Sequence, residues 1–245
     1  MKRCSYFSLA AIISIIVLLC LPFTGCGAVT PDDSALQAAY LAAINDARVA
    51  EPDEICRDLE PVTYYNTDLV WEGQPGASRV LLLTWTSWDG YKDAAGGDFK
   101  LSREAWVVIP GQLKDFYREN KRLSGDDLIL RLEQLYGLPP HNGKQWFVEM
   151  WVMPDDLFRP SPDPDITDGE AELDFPGWVD AAYKDWFNQL ASASYGEDGY
   201  PWTRLGYTYD WGNQKNETGL SEFVIRAGST VGIHTVAGNF DYLKN

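Results

Sequence analysis

The sequence predicts an α+β fold: a single domain in which a mostly antiparallel mixed sheet carries three or four packed helices. Three observations carry this expectation. Strand-period segments lie toward both ends of the domain, helical-period segments lie between them, and short turn signals such as Asn142-Gly143 and Ala227-Gly228-Ser229 favour hairpin-like connections.

Taken in order, Leu36, Tyr40, Ile44 and Ala47 recur at helical spacing, with Ser34 available as a cap and Pro52 beyond the end. Residues 79–86 form an unbroken apolar run and read as a central strand buried on both faces. The Gly- and Asp-rich stretch 87–102 reads as a polar loop, and 103–109 as a second strand ended by Pro110. A polar helix follows from Gly111 to Arg122. Ser124-Gly-Asp-Asp127 then resembles a capping box, opening a helix lined by Leu128, Leu132 and Leu135 and stopped by Gly137-Leu-Pro-Pro140. In the strand 144–153, Trp146, Val148, Met150 and Val152 face one way while Phe147, Glu149 and Trp151 face the other. The excursion 154–176 is too long for a plain connection, and such loops are often functional. A helix over 177–192 directs Val179, Tyr183, Trp186, Phe187 and Leu190 inward. Last come a strand over 203–211 and a hairpin of 221–226 with 230–236.

The amino terminus has a different composition. Lys2 and Arg3 precede an apolar run from Leu9 to Phe23, and no charged residue occurs between Arg3 and Asp32. The run is 15 residues long, short of the roughly 20 that cross a bilayer as a helix. Phe23-Thr24-Gly25-Cys26 ends it with small residues before a cysteine, and the whole segment resembles a bacterial lipoprotein signal. That resemblance implies cleavage before Cys26, acyl chains including palmitate on Cys26, and anchoring in the cell envelope. Gly27, where an enteric sorting signal would place Asp, implies the outer membrane, in an envelope that includes a periplasm. The expected organisation is a signal peptide over 1–25, a tether over 26–33 reaching about 25 Å, and one globular domain over 34–245.

Loss of residues 1–25 removes Lys2 and Arg3 from 20 basic residues and nothing from 36 acidic ones, so the net charge moves from −16 to −18. Such a surface repels phosphate backbones, which excludes nucleic acid as a partner class and leaves the acyl chains on Cys26 as the membrane contact. It also removes Cys4 and Cys20. Cys56 is then the one thiol left unacylated, and it reads as a small buried apolar residue.

Motifs for a serine nucleophile elbow, a zinc-binding HExxH helix, a phosphate-binding loop, a dinucleotide fold and a CxxC pair are all missing from the sequence. Carboxylates remain. Glu149 interrupts an apolar strand, and it is either the general acid of a polysaccharide hydrolase, partnered by Asp163, Asp165 or Asp210, or one half of an ion pair with an arginine such as Arg204. Asp163, Asp165, Asp168 and Glu170 lie in a stretch with five acids in ten residues, oxygen donors suited to Ca2+, although a solvated acidic loop has the same composition. In a strand over 203–211, Tyr207, Tyr209 and Trp211 share one face while Trp202 and Arg204 share the other, as either a platform for sugar rings or part of the core. The expected function is a lipid-anchored, non-catalytic envelope module that binds a glycan or envelope protein or serves a structural role. The alternative is the carboxylate hydrolase acting on envelope polysaccharide.

Overall fold

The chain is described by a computed structural model over residues 32–196 and 198–244. Cys26 and the rest of the lipoprotein-like signal lie outside the described residues. Helix α1 (Asp33–Asp46) buries Leu36, Tyr40, Ala43 and Ile44. Its N-cap is Asp32, and Ser34 lies inside the first turn, where its hydroxyl donates to Asp32 Oδ2. Strands β1 (Val80–Thr86), β2 (Asp98–Lys100) and β3 (Ala105–Val108) precede helices α2 (Pro110–Glu119) and α3 (Gly125–Leu135). Pro110 opens α2 at a position where its missing N–H costs nothing. Ser124 does stand at the N-cap of α3, but its side chain makes no capping hydrogen bond.

Strand β4 (Trp146–Val152) is followed by β5 (Leu157–Phe158), helix α4 (Ala181–Ser194), β6 (Tyr207–Tyr209), β7 (Thr218–Ile225), β8 (Thr230–Gly238) and helix α5 (Asn239–Lys244). The fold is α+β with an eight-stranded sheet, antiparallel at every pairing, in the order β2-β8-β4-β1-β3-β7-β5 with β6 against β7. Five helices pack with it where three or four were expected, because the short α5 carries only six residues of helical pattern.

The expected hairpin between residues 221–226 and 230–236 does not form. Strands β3, β1 and β4 stand between β7 and β8, about 19 Å across a flat sheet, yet only residues 226–229 join them. The sheet therefore curls. Asp98↔Gly232, Lys100↔Thr230, Ala105↔Ile225 and Val108↔Glu222 belong to one register, so 98–108 and 222–232 make a single bent ribbon. Its corner is tied by Leu101 N–H to Ser229 O (2.9 Å) and Gly228 N–H to Leu101 O (2.8 Å). The Gly228 turn, at φ +89°, redirects the chain along this ribbon and does not fold it back on itself.

The curl separates two cores. Val80, Leu82, Val107, Val148, Met150, Phe223, Ile225, Val231 and Ile233 fill one face. Leu83, Trp85, Val108, Phe147 and Leu220 fill the other under α2, α3 and α5 through Leu113, Leu128, Leu132 and Tyr242. A third cluster packs α4 through Tyr183 and Phe187 onto Phe158, Trp202 and Val224. Cys56 is half-buried at the edge of a fourth, around Leu59, Ala171, Leu205 and Tyr207.

Candidate functional site

The excursion after β5 is shaped by one buried cation. Arg159 has no solvent exposure; its Nε donates to Asp165 O (3.1 Å) and its Nη2 to Asp168 O (2.9 Å). A guanidinium presents several donors in a rigid fork, so one side chain can tie successive turns of a loop. Gly206 makes room for it: at φ +75° it leaves the space where a Cβ would meet Arg159 Cδ at 2.6 Å. The loop is laid along the chain before it by Leu59 N–H to Gly169 O (2.9 Å) and Val62 N–H to Ile166 O (2.6 Å).

Pinned in this way, the loop presents two chemistries. On one side, a carboxylate oxygen from each of Asp163, Asp168 and Glu172 falls within 4.8 Å of the others. Asp168 Oδ1 and Glu172 Oε2 are shut off from solvent without a hydrogen-bond partner. Burial pushes both carboxyls up, with Asp163 adding repulsion at Glu172, while burial pulls the Arg159 guanidinium down against the opposing pull of Asp168. The expected quartet is thus divided. Asp165 Oδ1 is spent on Thr167 N–H and its hydroxyl, both at 2.7 Å, and Glu170 pairs with Arg57 in solvent. Glu172 takes their place. The three acids could offer oxygens to a hard cation, or share protons instead.

On the other side, Pro164–Thr167 line a depression of about 620 Å3. Val62–Tyr65, Trp71, Pro154, Asp155, Leu157 and Trp178 also line it. Tyr64, Tyr65 and Trp178 are 58%, 76% and 63% exposed, and the two tyrosine rings lie against each other with centroids 3.7 Å apart. Isolated exposed aromatics are ordinary; several lining one concavity make this depression the candidate site. Sequence reading missed them because it looked for aromatics at strand period. The available signal was the reverse, large rings in loops: Tyr64-Tyr65 between Pro61 and Asn66, and Trp178 after Pro176-Gly177.

The expected aromatic platform is instead largely interior. Trp202 and Tyr207 are 6% and 1% exposed. The Tyr207 hydroxyl donates to Glu54 O and the half-buried Tyr209 donates to Asp46 Oδ2. Trp211 sends its indole N–H to Leu138 O and packs edge-on to Tyr40. Only 207–209 of the expected strand is extended and paired with β7, so the alternation that assigned these faces fails on either side.

Glu149 is buried, and its Oε1 accepts the Tyr242 hydroxyl at 2.8 Å. It does not meet Arg204, which donates to Arg48 O from a residue at φ +61°. The suggested partner Asp210 is gripped by Arg131 through two 2.7 Å hydrogen bonds, and Asp163 and Asp165 follow β5, which three strands separate from β4 in the sheet. A second acid in the same row, Glu222, was missed. Glu149, Leu83, Val108 and Glu222 are direct neighbours across β4, β1, β3 and β7. Burial pushes the Glu222 carboxyl up to about 8. Two apolar side chains thus stand between the acids, whose backbones are about 14 Å apart, and no cleft for a sugar ring opens between them.

Among the described residues, no helix is long and apolar enough to cross a membrane. Comparison with known proteins returns no matching family model, curated protein or solved structure.

Proposed function

We propose that this chain is a lipid-anchored envelope protein whose folded domain is a non-catalytic module binding a saccharide in the depression between Tyr64, Tyr65, Trp71 and Trp178. The single observation that carries the binding reading is the convergence of these rings, three of them more than half exposed, on one concavity of about 620 Å3. Flat ring faces match the apolar faces of pyranose rings, and a volume of this size holds one or two of them. The anchor rests on Phe23-Thr24-Gly25-Cys26, and several acyl chains hold a protein durably because each buried methylene contributes about 0.8 kcal/mol. The hydrolase reading loses support because Glu149 is closed over by Tyr242 and its suggested partners are engaged elsewhere.

Two experiments test the two halves. A glycan array probed with the full chain in nonionic detergent should give signals that Trp178→Ala abolishes; an array without signal removes the saccharide. Labelled palmitate should enter the wild type and not Cys26→Ala, and equal labelling of both removes the anchor.

A further inference from the structure

The depression has a charge as well as a shape. Its lining contains no Lys, Arg or His, and it contains two carboxylates, Asp155 and Asp165. Asp155 is exposed and has neither a hydrogen bond nor an ion pair among the described residues. Asp165 commits Oδ1 to Thr167, and its Oδ2 makes no hydrogen bond among the described residues. Arg159, under the loop, is fully buried and opposed by Asp163, Asp165 and Asp168, so the loop stays net negative around it. The chain as a whole carries −16.

Ring faces and carboxylates together select for one kind of ligand. The face of an aromatic ring is the negative end of its quadrupole and attracts a cation placed over it. A carboxylate at the rim adds a charge-assisted hydrogen bond to an ammonium N–H. A neutral sugar would use the rings and leave the carboxylates with nothing but water, whereas an anionic sugar would be repelled by them. A free amine on a pyranose ring uses both.

We propose that the ligand is an amino sugar bearing a free, protonated amine, with its ring stacked in the Tyr64–Tyr65–Trp178 depression and its ammonium held by Asp155 and Asp165. This rests on the saccharide-binding reading above and names its substrate class. Hydrolytic N-deacetylation is one class of reaction that would supply such a ligand: water cleaves the amide C–N bond, acetate leaves, and the freed amine holds the proton that makes it the required cation.

Calorimetric titration of the full chain in nonionic detergent tests it, with glucosamine oligomers against their N-acetylated counterparts of equal length. The amine-bearing oligomer should bind about tenfold more tightly. Asp155→Asn combined with Asp165→Asn should remove that preference, so that the two oligomers bind equally. The amide oxygen that replaces the carboxylate at position 165 would still accept from Thr167, and circular dichroism melting checks that the double variant keeps its fold. Equal affinity for the two oligomers, or a preference that survives the double variant, overturns the charge assignment and leaves saccharide binding standing. Binding of neither oligomer removes both readings. Choline binding without the amine-bearing oligomer overturns the assignment to a sugar.

Discussion

The Arg159 guanidinium donates through Nη2 to the main-chain carbonyl of Asp168 at 2.9 Å, and by this contact a wholly buried cation holds the loop that walls the aromatic depression. The same side chain reaches Asp165 O through Nε. Hydrogen bonds from a charged group contribute about 1.5–3 kcal/mol. Arg159→Met should therefore lower stability by about 2–3 kcal/mol in urea titration and speed amide exchange across 163–172. It should also weaken ligand binding, because the Pro164–Thr167 wall loses its support. Unchanged exchange in that loop would show that Arg159 does not hold it.

Trp178 separates function from stability. With 63% of its surface exposed, truncation removes little packing, and surface changes of this kind usually stay within about 0.5 kcal/mol. Trp178→Ala should lose binding at least tenfold and leave the melting temperature within about 2 °C of wild type. A large drop in melting temperature would make it a packing residue.

Asp210 is 3% exposed and receives both prongs of Arg131. Removing the cation strands a buried charge, which costs about 3–5 kcal/mol. Arg131→Met should destabilise by about 3 kcal/mol, and Asp210→Asn added to it should recover part of the loss. Without that recovery, the pair is not coupled as the geometry requires.

Glu222 sets a pH dependence with a definite sign. Burial lifts its carboxyl from 4.5 to about 8, so between those values the folded chain keeps a proton that the unfolded chain has released. Stability from this group is full below about pH 4.5 and is lost progressively as the pH rises to about 8. Glu222→Gln should stabilise the protein at pH 8 by about 1–3 kcal/mol and have little effect near pH 4.5. The difference in unfolding midpoint at the two pH values measures it, and an equal effect at both would place the Glu222 carboxyl in solvent.

Strand and helix periodicity made most of the fold legible. The apolar runs became β1 and β4, and the leucine spacing 128, 132 and 135 became the buried face of α3. Pairing was less legible, because Ala227-Gly228-Ser229 is a competent hairpin turn and only the common partner 98–108 makes it a corner. Strand β2 was hidden because its three residues alternate in a segment dominated by Gly and Asp. At the site, the acidic loop could be read from composition, but which acids converge depends on tertiary contacts: Arg159 holds the Asp165 and Asp168 carbonyls, Arg57 draws Glu170 into solvent, and Glu172 joins Asp163 and Asp168. An isolated acid inside an apolar strand is legible at Glu149 and equally at Glu222, where Leu220 and Val224 stand two residues to either side as Phe147 and Trp151 do around Glu149.

The central claim is that ligand sits on the loop aromatics and not on the buried ones. The most direct measurement is a titration of the 15N-labelled full chain in detergent with a glucosamine oligomer, following the ten indole Nε1–H signals. The predicted result is a saturable shift of the Trp71 and Trp178 signals with those of Trp202 and Trp106 unmoved. Shifts confined to Trp202 and Trp211, or no shift at any indole, would contradict it.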